Sequence, residues 1–168
     1  MATPEFILAL QDSALANFIR GETAGGEWAF PIIETVHVMA LAVVYGSIAM
    51  VDLRMLGITW RDVRLSKLAD EVLPWTWIAF LIAALSGSLM FIAKGDIYWN
   101  NLETRLKFLC MALAGVNMAI YQFGMHRRVS EWDLRLPPPR AVRMAGALSI
   151  TLWTGVVFFG RWIGFTTQ

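Results

Sequence analysis

Four separate stretches of about 20 mainly apolar residues dominate this chain, and each is long enough to cross a bilayer as a helix. They lie at about residues 29–51, 73–93, 106–125 and 145–163. The composition agrees, because 57% of the residues are hydrophobic and 16% are charged, whereas a soluble domain has about 45–50% and about 25%. The sequence therefore predicts an all-α polytopic membrane protein. Since the connections are short, the simplest fold is a four-transmembrane-helix up-and-down bundle that forms a single membrane domain over residues 1–168.

Two shorter segments predict helices that do not span the membrane. Residues 3–20 begin with a capping threonine, proline and an acid, which is typical of a helix start, and then carry an imperfect apolar face. This segment predicts an N-terminal interfacial helix lying on the membrane, with a short helix packed on the bundle as the alternative. The segment Asp62–Glu71 predicts a short amphipathic helix that ends before Pro74.

The distribution of basic residues predicts how the bundle is oriented. Nine of the 14 Lys and Arg residues lie in the two loops after the first and third apolar stretches. They are Arg54, Arg61, Arg64, Lys67, Arg127, Arg128, Arg135, Arg140 and Arg143. By the positive-inside rule these loops face the cytoplasm and both termini face outward, which in a bacterium is the periplasm.

Several function classes find no support in the composition. The net charge is +1, and topology explains the basic loops, so we expect no nucleic-acid partner. Cys110 is the single cysteine, which excludes an intrachain disulfide and a cysteine metal cluster. No nucleophile with an adjacent base and no phosphate-binding glycine loop is present. The sequence therefore favours a chain without catalytic activity of its own.

Glu34 and His37 are the first ionisable pair inside an apolar stretch. Three residues apart on a helix, they share one face, and ionisable groups within a membrane helix usually mark a functional or interior position. His37 lies roughly 6 Å outward of the predicted midplane. His126, the second histidine, ends the third stretch at the opposite side, roughly 20 Å away along the membrane normal. The two histidines therefore cannot bind one metal within a subunit.

Other polar residues in the apolar stretches predict a structural network. Arg161 lies near the depth of Glu34, so an ion pair between them is expected to join the first and fourth spans. Asn117 lies near the middle of the third span and needs a partner on a neighbouring helix. Asp52 and Arg54 are expected to anchor the inner end of the first span.

Several motifs occur in the order found in a known family. They are Arg20, the segment Trp28-Ala-Phe-Pro31-Ile-Ile-Glu34-Thr-Val-His37, Gly46, Asp52-Leu-Arg54-Met-Leu-Gly57, Lys107 and Asn117. In these the chain resembles an uncharacterised family of small bacterial four-helix inner-membrane proteins, which implies a multi-pass location in the bacterial inner membrane. More distantly, His37 followed by Gly46 is similar to CopD-like and b-type cytochrome membrane domains. Those domains usually supply paired histidines at one depth.

Three functions follow as hypotheses. The first is an accessory or assembly component of a larger membrane complex, or a homo-oligomer, in which Glu34, His37 and Arg161 stabilise helix packing. The second is transport or sensing of a metal ion or proton, with His37 and Glu34 as ligands or proton carriers.

The third hypothesis is a membrane electron-transfer subunit that binds haem b. His37 is then an axial ligand, and Met90 or Met111 is the second, unless the same histidine of a second subunit takes that place. Arg161, together with Lys94 or Lys107, neutralises the haem propionates.

Overall fold

A computed structural model describes residues 3–125, 129, 132–134 and 137–166 of the chain, and this part contains helices and no strands. The helices are α1 (Glu5–Gln11), α2 (Ala14–Arg20), α3 (Ala29–Met55), α4 (Leu65–Ala93), α5 (Gly95–Asn100), α6 (Leu102–Ile120) and α7 (Arg140–Thr166). A π-helical turn, Tyr121–Met125, extends α6.

The predicted all-α fold with four long apolar helices is confirmed. The helices α3, α4, α6 with its π turn, and α7 are each long and apolar enough to cross a membrane. Each contains one of the predicted spans and extends beyond it, α4 by eight residues at its start. The four helices run antiparallel in turn. We call the end where the described chain begins and α7 finishes the termini end, and the opposite end, with its basic loops, the basic end.

The four long helices form two hairpins that meet through α3 and α7. The helices α3 and α4 pack along much of their length, as do α6 and α7, and α3 packs against α7. By contrast, α4 and α6 do not pack closely along their lengths. The bundle is therefore most open on the side between α4 and α6.

The segment predicted as one helix over residues 3–20 is two helices. Ser13 divides them because its hydroxyl accepts a hydrogen bond from Ala16 N at 3.2 Å and caps α2. Both helices pack on the bundle, with Ile7 and Ile19 buried. Arg20 holds them at the termini end, since its guanidinium donates to the carbonyls of Gln11 and Ala93 at 2.8 and 3.0 Å.

The prediction that a separate helix ends before Pro74 is wrong. The helix α4 runs without interruption from Leu65 to Ala93 and contains Pro74. Proline removes one backbone hydrogen bond, but α4 stays helical because it is packed against α3 on both sides of this point. Leu68 lies buried before the proline, and Thr76 after it donates to Ser47 of α3 at 2.8 Å.

The main buried cluster lies at the basic end. It consists of Val51, Met55, Leu65, Trp132, Val142 and Ala145. Because these residues come from α3, α4, α7 and the loop before α7, the cluster joins the two hairpins. The end of α3 is defined by Gly57, whose φ of 74° is the left-handed conformation that terminates helices.

Candidate functional site

His37 is half-buried on α3 and turned toward α4. Its Nδ1 atom lies 3.0 Å from the hydroxyl oxygen of Ser86. When the Ser86 hydroxyl donates to the carbonyl of Ile82 at 2.7 Å, its oxygen is available to accept from Nδ1–H of the imidazole. This arrangement favours the tautomer with the proton on Nδ1 and leaves the lone pair on Nε2.

Gly87 lies directly against the His37 ring. A Cβ atom at position 87 would be 2.9 Å from Cε1 of the imidazole, closer than side chains normally approach. In the same way, Gly155 of α7 leaves room for the Cys110 thiol of α6, with 3.1 Å between a Cβ atom there and Sγ. These two glycines therefore accommodate side chains of neighbouring helices.

Lys107 is the second polar group of this site. It lies five residues into α6, and His37 lies eight residues into α3, so both are roughly 8–12 Å from the termini end. The Lys107 side chain runs beside Gly160 of α7, and its charge acts on the His37 imidazole. The ammonium group makes no hydrogen bond or ion pair with any residue that the structure describes.

The predicted ion pair between Glu34 and Arg161 is absent. Glu34 is exposed on α3, and Arg161 is exposed on α7, where its guanidinium lies 5.3 Å from the ring centre of Phe165. The two side chains do not meet because both lie on exposed faces rather than between α3 and α7. Burial raises the pKa of the Tyr98 phenol, and the nearby Glu34 carboxylate raises it further.

Glu34 and His37 share a helix turn but not a site. The imidazole is held against α4, whereas the carboxylate is exposed near α5. Within the described residues no group of three or more His, Cys, Asp and Glu side chains converges as a metal site requires. Metal binding by His37 and Glu34 therefore stays a prediction.

The two candidate second ligands for haem, Met90 and Met111, are half-buried on α4 and α6. Neither is in the contacts that hold the His37 ring, and the Cε1 edge of the ring is packed on Gly87. Nε2 is therefore the ring nitrogen that a haem iron would bind. His126 lies outside the described residues. The roles of His37, Met90, Met111 and Arg161 in cofactor binding stay predictions.

A second polar group of residues lies at the basic end around Arg54. The Arg54 side chain is 1% exposed, and its guanidinium donates to the carbonyls of Val63 and Asp133 at 2.8 and 3.0 Å. The Asp133 carboxylate accepts from the backbone N–H and the hydroxyl of Ser66 at 2.9 and 2.6 Å. Arg54 therefore joins the end of α3 to both basic-end loops.

Asp52 and Asn117 contribute to helix packing nearby. Asp52 is 3% exposed and interacts with Ser149 of α7, while one carboxylate oxygen has no hydrogen-bond partner among the described residues. Asn117 of α6 donates to the carbonyl of Ala145 at 3.0 Å. These contacts are of the kind predicted for structural polar residues.

Sequence reasoning missed Ser86, Ser66 and Asp133. Ser86 adjoins Gly87, whose depth matches that of His37, so its position was a usable signal. Ser66 and Asp133 lie outside the predicted spans, Ser66 at the start of α4 and Asp133 in the loop before α7, and no periodicity relates such positions to the helix they contact. Only the fold brings them to Arg54.

The fold and these two polar sites define a class: an all-α protein with four helices able to span a membrane and polar side chains held between them. A protein-family model described as "Family of unknown function (DUF6644)" matches residues 9–166. The chain belongs to this family, which confirms the resemblance to an uncharacterised family. No curated protein and no solved structure matches the chain.

Proposed function

We propose that this chain is a non-catalytic accessory subunit of a larger membrane complex. The observation that carries the proposal is Lys107, a cation within a span that no described residue neutralises. A charged group within a membrane helix is costly without a partner or access to the interface. A carboxylate from another membrane protein would offset that cost and would select the correct partner.

The remaining polar side chains support this role because they serve helix packing. His37 is engaged by Ser86, Arg54 by two loop carbonyls, and Asn117 by the α7 backbone. Polar contacts of this kind stabilise the bundle and leave no catalytic group among them. Lys107 differs from these residues because its ammonium group makes no hydrogen bond or ion pair with any described residue.

The position of α6 indicates where a partner docks. Only 6% of the most apolar part of α6 is buried within the chain, against 28% for α3 and α4. The open side of the bundle lies between α4 and α6, so α6 has a face that no other long helix covers. We therefore infer that a partner helix lies along α6 and places an aspartate or glutamate at the depth of Lys107.

Affinity isolation from native membranes tests this proposal. The tagged wild-type chain is expected to co-isolate with a membrane protein in a fixed ratio. The Lys107→Met variant is expected to lose that protein, and the Lys107→Arg variant is expected to retain it. Lys94→Met is the matched control, since Lys94 lies at the same end but rests on the Phe30 ring at 4.6 Å. A wild-type chain that migrates alone would contradict the proposal, and so would a Lys107→Met chain that retains the partner. A complex made only of copies of this chain would replace the accessory role by self-assembly.

A second candidate function, haem b binding in electron transfer, is favoured by the orientation of His37. Histidines that bind metals usually donate their other ring N–H to a protein acceptor, and the Ser86 hydroxyl lies 3.0 Å from Nδ1, in position for that role. Haem bound at Nε2 would supply one-electron redox chemistry. Absorption spectra of oxidised and reduced protein from a haem-replete host test this: a b-type spectrum that His37→Ala abolishes would support it, and wild-type protein without a Soret band would exclude it. Transport or sensing of a metal ion or proton gains no comparable support.

We also propose that the chain resides in a bacterial inner membrane with both termini in the periplasm. The basic loops support this orientation by the positive-inside rule. The exposed apolar side chains of α1 and α2, among them Phe6, Leu10, Leu15 and Phe18, support contact of these helices with the membrane interface. Alkaline phosphatase fused to the C-terminus is expected to be active, and green fluorescent protein fused at the same place is expected to be non-fluorescent. The reverse pattern would refute the orientation.

A further inference from the structure

An open groove of about 380 Å³ lies at the basic end, where α3 finishes and α7 begins. It is lined by Leu56, Arg140, Arg143, Met144 and Ala147. The two arginines are three residues apart on α7 and so share one face. The other three residues are apolar. The groove therefore combines two positive charges with an apolar wall.

No described residue engages the guanidinium group of either arginine. Arg140 and Arg143 are exposed, and neither forms a side-chain hydrogen bond or an ion pair with a described residue. Arg54 differs, since the protein itself satisfies its guanidinium. Two adjacent unpaired arginines repel each other and favour an anion between them, and planar guanidinium groups match the oxygens of a phosphate.

The depth of the groove identifies the kind of anion. Arg140 is the first residue of a helix long and apolar enough to span a membrane, so the groove lies where that helix leaves the apolar layer. The apolar residues Met144 and Ala147 continue from the arginines toward the bundle middle. A ligand must therefore be anionic at one end and apolar along its length. An inorganic anion would leave the apolar wall unused.

We propose that this groove binds an anionic phospholipid of the phosphatidylglycerol type. The lipid phosphate accepts hydrogen bonds from Arg140 and Arg143, and one acyl chain lies along Leu56, Met144 and Ala147. The dipole of α7, whose positive end lies here, adds to the attraction. This site is independent of Lys107, which lies at the other end of the bundle, so the outcome for either site leaves the other proposal intact.

Thermal unfolding of the delipidated, detergent-purified chain tests the site. Phosphatidylglycerol is expected to raise the unfolding temperature, whereas phosphatidylcholine and inorganic phosphate are not. In the double variant Arg140→Gln/Arg143→Gln, the phosphatidylglycerol concentration that produces the same rise in unfolding temperature should be roughly 30-fold higher. Each basic group near a membrane surface contributes about 1 kcal/mol to anionic-lipid binding, and two are removed. Ala147→Trp keeps both charges but fills the groove, and it should reduce the response as well.

Arg61→Gln/Arg64→Gln is the matched control, because it removes the same charge from exposed positions at the basic end outside the groove. This variant is expected to respond as the wild type does. The proposal would be overturned if the control lost as much of the response to phosphatidylglycerol as the double groove variant does. It would also be overturned if the double groove variant or Ala147→Trp responded as the wild type does. Equal stabilisation by phosphatidylcholine or by inorganic phosphate would overturn it too. Gel filtration of each variant establishes that it is folded before lipid is added.

Discussion

Arg54 has the largest fully buried side chain in the described part of the structure. A buried charge is costly unless hydrogen bonds compensate it, and here two loop carbonyls accept from the guanidinium. The guanidinium suits this position because its several N–H groups lie in a fixed plane and can reach two acceptors at once. At the residue scale, Arg54 therefore stabilises the basic end by donating a hydrogen bond to one carbonyl in each loop.

Replacing Arg54 with alanine is expected to lower the free energy of unfolding by about 3 kcal/mol or more, because a fully buried side chain is removed and two partly buried carbonyls lose their donor. Arg54→Lys should recover only part of the loss, since one ammonium cannot reproduce the planar fork. Denaturant unfolding followed by tryptophan fluorescence measures both. Arg64→Ala, at an exposed position, is the control and should change stability by less than about 0.5 kcal/mol. If Arg64→Ala lowered the free energy of unfolding as much as Arg54→Ala does, this account would be contradicted.

Tyr98 makes stability depend on alkaline pH. Burial raises the pKa of its phenol above the ordinary value of 10.0, and Glu34 adds to the effect. Below that value the phenol is neutral in both folded and unfolded chains, so its contribution is constant. As the pH rises above 10.0 the unfolded chain loses the proton first, and stability falls. The unfolding temperature of the wild type should therefore fall more steeply above that pH than that of Tyr98→Phe, and equal slopes would argue against it.

At the element scale, the close approach of α3 and α7 depends on Gly146. A Cβ atom there would lie 2.9 Å from the Cβ of Met55 and 3.1 Å from the carbonyl oxygen of Asp52. Both neighbours belong to or adjoin the backbone of α3, so they cannot move aside as the end of a long side chain can. Gly146 thus sets the distance between the two helices that join the hairpins.

Gly146→Ala is accordingly expected to lower the free energy of unfolding by about 1–3 kcal/mol through overpacking. Gly46→Ala provides the comparison, because it lies within α3 and a Cβ atom there meets nothing within 4 Å. That variant should lose no stability. Thermal unfolding of the two variants side by side gives the answer, and equal effects would show that the α3–α7 distance is not limited at Gly146.

At the scale of the whole molecule, the chain consists of two hairpins. The first contains α3 and α4 with the helices α1, α2 and α5 at the termini end, and the second contains α6 and α7. Contacts between the hairpins run mainly through α3 and α7 and through the buried cluster at the basic end. The connection between α5 and α6 is the single residue Asn101, whose side chain caps α6.

This organisation predicts that the chain can be divided. Fragments 1–100 and 101–168, expressed together, are expected to assemble and to co-purify, because each keeps its own hairpin and the α3–α7 contact needs no covalent link. Co-purification through a tag on the first fragment measures assembly. Introducing Gly146→Ala into the second fragment should reduce the yield of the complex. Fragments that never associate would show that the α3–α7 contact cannot hold the bundle together.

Much of the architecture was predictable, because apolar length is a local property of sequence. The four long helices and the contact of Asn117 with a neighbouring helix each follow from short segments. The break at Ser13 and the continuity of α4 through Pro74 were not predicted. The break follows from the local cap at Ser13, whereas the continuity of α4 depends on its packing against α3.

The candidate site was predictable in its residues but not in its contacts. Glu34 and Arg161 share a depth, yet depth is only one coordinate, and the direction in which each helix face points is set by tertiary packing. The same freedom placed His37 against Ser86 and Gly87 and left Lys107 without a counter-charge among the described residues. The sequence by itself determined four apolar helices and the depth of their polar groups, because both depend on position along one segment. Only the tertiary structure decided which polar groups meet, because helix rotation and neighbour choice arise when the hairpins pack together.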